Sequence, residues 1–319
     1  MGRFLRAVVV VCNLLACLAF AETPPADLLA AGRVDDAIAV LTAKIKSSPN
    51  DPESYGLLCR AYFGLGDWDR AISACQRAIR LDENNADFHL WLGRTYGEKA
   101  DATNFLSAAG LAKKARAEFE RAVGLDPFNS EARVDLAEFY FEAPGIIGGG
   151  QDKARTQSQE LVKLSPPSAH WVNGRIAEKN KDTGTAEKEY RAMIDSSHGS
   201  AWSWLSLGLF YRHNDRFDEM EAALKHVLDA PLDRSEALMD AASTLYKTNR
   251  SLPLAADMVR RYLKSTPSDQ APLFKAHVLL GNILAKQGNK PAAETEYRAA
   301  LTLARNYPPA EEGLKRLNS

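Results

Sequence analysis

One spacing of small and larger residues recurs along most of this 319-residue chain. A small residue is followed four positions later by a core residue, three positions after that by another, and then by a helix-stopping residue. Two clear runs are Ala115, Phe119, Ala122 and Pro127, and Ala255, Val259, Tyr262 and Pro267. Intervals of three and four place such residues on one face of an α-helix. Each run therefore predicts a helix with a single apolar face.

A second pattern precedes several of these runs and consists of a small residue followed by a tyrosine three positions later. Its members are Gly93 and Tyr96, Ala137 and Tyr140, Gly208 and Tyr211, and Ser243 and Tyr246. Turn signals such as Gly66-Asp67 separate the two kinds of run, which predicts pairs of antiparallel helices. Paired helices approach closely only where side chains are small. One pair cannot bury its apolar face alone, so neighbouring pairs are expected to stack.

These spacings, most complete in residues 55–85, resemble the tetratricopeptide repeat family over nearly all of residues 22–319. The resemblance implies an all-α superhelical solenoid of stacked antiparallel helix pairs, with about eight repeats and a closing helix near 308–317. The formal net charge is −1 and no basic tail is present, so nothing indicates nucleic-acid binding. We expect a protein or peptide partner and no nucleic acid.

The first 21 residues have the composition of an export signal. Arg3 and Arg6 precede an apolar run, residues 7–20, and small residues lead up to the bond after Ala21. This pattern predicts a secretory signal peptide, residues 1–21, and a periplasmic or secreted mature protein. No later run reaches the roughly 20 apolar residues of a transmembrane helix. Residues 14–17 also fit a lipobox, and the alternative is a lipoprotein anchored through Cys17.

Two repeats are lengthened between their helices, near residues 98–110 and 143–150. The second insertion contains Pro144, Ile146, Ile147, Gly148, Gly149 and Gly150. It is read either as a contact loop or anion-binding nest of backbone N–H groups, or as a flexible spacer with its isoleucines packed on the next repeat. Asp152 is expected to cap the helix that follows. The glycines are not followed by Lys and Ser/Thr, which excludes a phosphate-binding P-loop.

Sequence motifs for catalysis or metal binding are absent. The six histidines include no pair at metal-binding spacing, and no nucleophile elbow or dinucleotide fingerprint occurs. We therefore expect no catalytic residue, no metal and no cofactor. Cys59 and Cys75 occupy facing positions of one helix pair. In an oxidising compartment they are candidates for a disulfide, and the alternative is a pair of small buried apolar side chains.

The resemblance also implies a set of groove residues, because the family's concave groove is lined just after the small position of each first helix. The residues carried over are Arg60, Arg94 and Arg175, with Trp171, Trp202 and Arg212 on the same side. The arginines could donate charge-assisted hydrogen bonds to carboxylates of a partner, and the tryptophans could anchor an apolar side chain. The alternative is that the arginines pair with neighbouring Glu and Asp side chains.

The expected function is that of an exported scaffold or adaptor that grips a protein or an extended peptide in the cell envelope. One alternative is an enzyme or small-ligand-binding protein that uses the Pro144–Gly150 loop. Another is a structural solenoid that assembles with copies of itself. The sequence leaves the partner and the oligomeric state open.

Overall fold

The computed structural model describes residues 23–318, and this part of the chain is built from α-helices joined by turns and linkers. The predicted signal peptide lies outside the described residues. Sixteen of the helices form eight consecutive pairs, and each pair packs on the next. This arrangement confirms the all-α solenoid predicted from the spacing.

Each of the eight pairs begins with a first helix, which carries the small position described above from the third pair onward. These helices are α1 (Pro25–Ala30), α3 (Pro52–Leu65), α5 (Ala86–Asp101), α7 (Ser130–Glu142), α9 (Pro166–Lys179), α11 (Ala201–His213), α13 (Ala237–Lys247) and α15 (Leu273–Lys286). The second helices are α2 (Val34–Ser47), α4 (Trp68–Leu81), α6 (Phe105–Leu125), α8 (Gln151–Leu164), α10 (Thr183–Ser196), α12 (Phe217–Val227), α14 (Leu252–Tyr262) and α16 (Lys290–Leu303). A final helix, α17 (Pro308–Leu317), packs on α15 and α16.

Local sequence signals set where many of these helices begin. Asp67 and Asn129 each accept a hydrogen bond from a backbone N–H in the first turn of the helix that follows, α4 and α7. Proline occupies one of the first positions of α3, α9 and α17, where its missing N–H costs nothing. Short polar caps and prolines thus mark where many of the helices begin.

The two helices of a pair meet where a small residue faces a large one. A Cβ atom added to Gly281 would lie 2.6 Å from the Tyr297 ring, and one added to Gly174 would lie 2.9 Å from the Tyr190 ring. Gly93 approaches Phe119 in the same way. Tyr190 and Tyr297 are almost completely buried. The sequence spacing therefore records a steric fit that is repeated from pair to pair.

A polar contact also recurs between the helices of three pairs. In each, a histidine four residues before the small position holds its Nδ1 atom 2.6–2.8 Å from a glutamate of the second helix. The pairs are His89 and Glu118, His170 and Glu189, and His277 and Glu296. Such contacts link the edges of the helices beside the apolar core.

The two lengthened repeats accommodate their extra residues differently. Near 98–110 the additional residues are mostly helical, since α5 ends at Asp101 and α6 runs for 21 residues. Near 143–150 they form a loop that contains a short 3-10 turn, Gly145–Ile147. The first insertion thus extends a helix pair, whereas the second projects from the surface.

A disulfide joins Cys59 of α3 to Cys75 of α4, whose Cα atoms are 5.1 Å apart. Both residues are buried at the interface of the pair. Because the bond closes a loop with a sequence separation of 16 residues, it is expected to stabilise this pair by about 3 kcal/mol. The cross-link makes the second helix pair the most constrained of the array.

The close packing at the small position predicts that the mutation Gly281→Ala destabilises the protein. The added methyl group would overlap the buried Tyr297 ring, so we expect a loss of about 1–3 kcal/mol in unfolding free energy. Gly97→Ala in α5 is the matched control, because nothing lies within 4 Å of a Cβ atom there and alanine favours a helix. Urea unfolding followed by circular dichroism compares the two. Equal stability of the two variants would contradict the steric account.

Candidate binding channel

The concave side of the array holds a cavity of about 890 Å³. One wall is formed by residues of α3, α5 and the start of α7. The opposite wall is formed by the linkers before α13 and α15, which brings distant parts of the chain to one site. The lining residues include Arg60, Trp91, Arg94, Phe128, Glu131, Asp233, Arg234, Glu236, Ser268 and Asp269. A volume of this size falls in the range of pockets that take sizeable ligands or peptide side chains.

Two long linkers, residues 228–236 and 263–272, distinguish the second half of the array. Other linkers between helix pairs, such as 82–85 and 197–200, have four residues or fewer. Both long linkers line the cavity. The repeat spacing does not reveal these linkers, because it relates positions within a helix pair and not between pairs. Their prolines, Pro231 and Pro267, and the interval before the next helix carry the signal that could have revealed them.

Two of the predicted groove arginines, Arg60 and Arg94, lie at this cavity. The Nε atom of Arg94 donates to Asp135 over 2.6 Å, and its Nη2 atom donates to Glu131 over 3.1 Å. Arg60 donates to Asp269. The guanidinium group of Arg60 lies 5.4 Å from the centre of the Trp91 ring, and that of Arg94 lies 5.2 Å from it. Both arginines are thus engaged within the chain.

Arg175, the third predicted groove arginine, is also paired. It donates to Glu142 over 2.7 Å and to Glu178 over 3.1 Å. Arg212 lies at the end of α11, where its Nη2 atom is 3.1 Å from the Nε2 atom of His213. The pairing of Arg60, Arg94 and Arg175 is the alternative raised from the sequence. It leaves a partner's carboxylate no vacant arginine at these three positions.

The structure places the two predicted tryptophans side by side. The ring centres of Trp171 and Trp202 are 5.9 Å apart, and Phe141 lies 5.8 Å beyond Trp171. At the other end, the guanidinium group of Arg234 lies 3.8 Å from the centre of the Trp202 ring. We call Phe141, Trp171 and Trp202 the aromatic row. It crosses three successive first helices, α7, α9 and α11, and leads toward the cavity through Arg234.

Carboxylates on the same side of the first helices have raised pKa values. The Glu138 side chain has access to solvent, but the protein that surrounds it displaces much of the water around its carboxylate. This partial loss of hydration, which we call enclosure, and the negative charge of Asp135 raise the pKa of Glu138 to about 7. Enclosure and Glu236 raise the pKa of Asp240 to about 6. Enclosure also raises the pKa of Glu98. In residues 23–318 none of the three makes an ion pair, but the charge of a cation acts on each: Lys275 on Glu98, Arg175 on Glu138 and Lys247 on Asp240.

The glycine-rich insertion lies apart from the cavity lining. The backbone N–H groups of Gly148, Gly149 and Gly150 donate to the carbonyl groups of Gly145, Pro144 and Tyr140. An anion nest needs these donors free, so that interpretation is wrong. A Cβ atom on Gly149 would lie 1.8 Å from the Ala143 carbonyl oxygen, which explains why a glycine stands at this position.

Two further expectations for the insertion need correction. Ile146 is 87% exposed, so it does not pack on the next repeat. Asp152 does not cap α8, because Gly150 occupies the N-cap position and no side chain caps this helix. Asp152 instead lies in the first turn, where a negative charge favours the helix dipole. Whether the exposed Pro144–Gly150 loop contacts a partner stays a prediction.

Neither catalysis nor metal binding gains support from the described residues. In residues 23–318 no group of three or more His, Cys, Asp or Glu side chains is placed to hold a metal ion. Over the same range, no helix combines the length and apolar composition needed to cross a bilayer. What the geometry offers is a long concave wall with aromatic and charged side chains, which is typical of repeat proteins that bind other polypeptides.

Comparison with known families agrees with this class of protein. Residues 28–89 and 270–311 match family models described as tetratricopeptide repeat. The first match spans the first two helix pairs, and the second spans the last pair. The chain is a tetratricopeptide repeat protein, and its repeats support a role as a protein-interaction scaffold.

Individual relatives are distant. Mouse superkiller complex protein 3 is 25% identical over 293 residues, which cover 89% of this chain and 18% of the relative. The chain thus spans about a fifth of the length of the curated relatives it matches first.

Solved repeat proteins are also similar. A tetratricopeptide repeat protein from Parabacteroides merdae is 14% identical, with a TM-score of 0.45 and coverage of 92% of this chain and 96% of that one. A thermophilic TPR protein of Thermus thermophilus is 16% identical, with a TM-score of 0.48 and coverage of 58% and 94%.

The Arg94 pairing predicts a stability effect that depends on pH. Arg94→Ala leaves the enclosed Asp135 without its counter-charge, so we expect a loss of about 2 kcal/mol in unfolding free energy near neutral pH. Enclosure already raises the pKa of Asp135, and removing Arg94 raises it further. The loss should therefore shrink at acidic pH, where Asp135 becomes neutral.

Arg298→Ala is the matched control for this prediction. Arg298 pairs with Glu294 on the surface of α16 and is 68% exposed, so its removal should cost less than about 0.5 kcal/mol. Urea unfolding at acidic and at neutral pH provides the measurement. An equal loss for the two variants would show that Arg94 is no more than a surface ion pair.

Proposed function

We propose that the concave channel holds an extended polypeptide segment of a partner protein. The observation that supports this most is the aromatic row, because Trp171 and Trp202 are half-buried and come from neighbouring repeats. Aromatic side chains that are already held in place lose little conformational freedom on binding, and such residues dominate the energy of many interfaces. A row that crosses several helices fits a segment that runs along the array.

The charges of the channel favour a segment that carries lysine or arginine. Arg60, Arg94 and Arg175 are neutralised by carboxylates of the chain itself. Glu98, Glu138 and Asp240 make no ion pair over residues 23–318. A cationic side chain of the partner beside Glu138 would offset the repulsion that Glu138 feels from Asp135, and one beside Asp240 would offset the repulsion from Glu236. The proposal thus reverses the charge preference inferred from the sequence.

Short fluorescent peptides test the aromatic row. We expect a lysine-rich peptide with aromatic residues to bind, and the double variant Trp171→Ala/Trp202→Ala to raise its Kd by about 10-fold or more. Trp204→Ala is the matched control. Trp204 lies on α11, as Trp202 does, but its ring stacks on that of His226, with the ring centres 4.1 Å apart. Fluorescence anisotropy gives the affinities. A double variant that binds as tightly as the Trp204 control would exclude the row as an anchor.

The pH dependence of the same binding tests the charge preference. Glu138 and Asp240 have pKa values of about 7 and about 6, so both gain negative charge as the pH rises from acidic to slightly alkaline. The Kd for the lysine-rich peptide should therefore fall over this range, and Glu138→Gln should flatten the change. Tighter binding of a glutamate-rich peptide at the higher pH would contradict the proposal.

We further propose that the protein acts outside the cytoplasm, in the periplasm or as a secreted protein. The support is the leader pattern of residues 1–21 together with the Cys59–Cys75 pair, since disulfides persist in oxidising compartments. The intact mass of the protein from its native cell decides this. A chain that begins at Glu22 is expected, a lipidated chain that begins at Cys17 would indicate the anchored alternative, and an uncleaved chain would contradict export.

A further inference from the structure

Distant helix pairs of the array are joined by an ion pair. Arg60, on α3 in the second pair, donates from Nε and Nη2 to the carboxylate of Asp269. Asp269 belongs to the 263–272 linker, which precedes α15 in the eighth pair, and 209 positions separate the two residues. In a simple solenoid each repeat contacts its neighbours only. This contact instead spans the opening of the superhelix.

A second polar contact joins α2 to the segment between α16 and α17. The backbone N–H of Arg305 donates to the carboxylate of Asp35. The Arg305 guanidinium lies 3.4 Å from Asp35 and 3.6 Å from Asp36. Since Asp35 and Asp36 lie in the first turn of α2, the first helix pair is also tied to the last.

Apolar contact fills the space between these two ion pairs. A Cβ atom on Gly32 would lie 2.8 Å from the Cβ atom of Leu273, and Gly32 has a φ of +71°, so only glycine fits without strain. Pro272 lies against Gly64. Phe274 is completely buried and belongs to the same apolar cluster as Val34. The two ends of the array thus share a small core.

The sequence around Arg60 strengthens its role in this contact. Arg60 directly follows Cys59, whose disulfide to Cys75 fixes α3 against α4. The other half of the contact is a ten-residue linker, held by Tyr262, which accepts from the backbone N–H of Ser268 and donates to the carbonyl of Ala271. A helix fixed by a disulfide therefore meets a linker that lies outside the helix pairs.

We propose that the 263–272 linker is a clasp that closes the superhelix around its channel and that opens to admit the partner segment. The clasp carries Asp269, which lines the cavity together with Arg60. Its ion pair with Arg60 is partly exposed, so a bound partner has little free energy to replace when this pair opens. The gating role rests on the proposed function, whereas the closed geometry does not.

Charge exchange across the clasp tests the closed geometry in solution. Small-angle X-ray scattering of the full mature chain compares Arg60→Asp, Asp269→Arg and the double variant that restores the pair with reversed charges. Each single variant should increase the maximum dimension, because like charges then face each other, and the double variant should return it toward that of the wild type. Asp257→Arg on α14 is the control, since among residues 23–318 Asp257 pairs only with Arg260 on the surface, and it should leave the dimension unchanged.

Two results would overturn the clasp. Single variants with the wild-type dimension would show that the contact does not hold the array closed. A double variant as extended as the singles would show that the changes act through local unfolding. Asp269→Asn with Asp35→Asn provides a milder opening if a charge reversal unfolds the chain, and it should again lengthen the particle.

The gating role is read from kinetics on the same variants. Opening the clasp should raise the association rate of the lysine-rich peptide several-fold in both single variants, although Arg60→Asp and Asp269→Arg change the cavity charge in opposite directions, and the charge-exchanged double variant should restore the slower rate. Opposite changes in the two single variants would show electrostatic steering and overturn the gate. An association rate that is equal in open and closed variants would overturn the gate. If no peptide binds any variant, the proposed function and its gate fail, while the scattering result still decides whether the clasp exists.

Discussion

The close approach of two helices at a residue with little or no side chain is the constraint on which this structure depends. At Gly281 the second helix of the pair brings a tyrosine ring into the space that a Cβ atom would fill. Because the interior is packed to near-crystalline density, that fit fixes the distance and the angle between the helices. The same fit at Gly93, Gly174 and Gly208 repeats that geometry, and the repetition makes a superhelix.

The channel follows from this repetition, and its chemistry follows from what the inner positions carry. Several first helices carry, beside the small position, side chains that are surrounded by protein, such as Arg94 and Glu138. Enclosure strengthens ion pairs such as that between Arg94 and Asp135, and it raises the pKa of carboxylates without a partner, such as Glu138. The wall therefore combines arginines that pair with carboxylates of the chain, aromatic side chains, and carboxylates that make no ion pair in the described residues. This combination suits a cationic, partly aromatic segment.

Much of the fold could be predicted because its rule is local. Residues such as Ala115 and Phe119 lie on the same face of one helix, so the helix geometry fixes their spacing along the chain. The position of the channel was harder to predict, since the contact between Arg60 and Asp269 depends on rotations accumulated over six helix pairs. The engagement of the groove arginines was left open for the same reason, because a pattern of positions does not reveal which carboxylates reach them. Trp171 and Trp202 were predicted on one side of the array, and their ring centres lie 5.9 Å apart.

Photo-crosslinking from inside the cavity tests most directly whether the channel holds a polypeptide. Phe128 lines the cavity and is 79% exposed, so p-benzoylphenylalanine can replace it with little change in shape. The same substitution at Val162, which is 56% exposed on α8 and does not line the cavity, provides the reference. The account predicts a polypeptide adduct in native cells from position 128, mapped by mass spectrometry to a lysine-containing or arginine-containing segment, and none from position 162. Adducts from position 162 alone would contradict it.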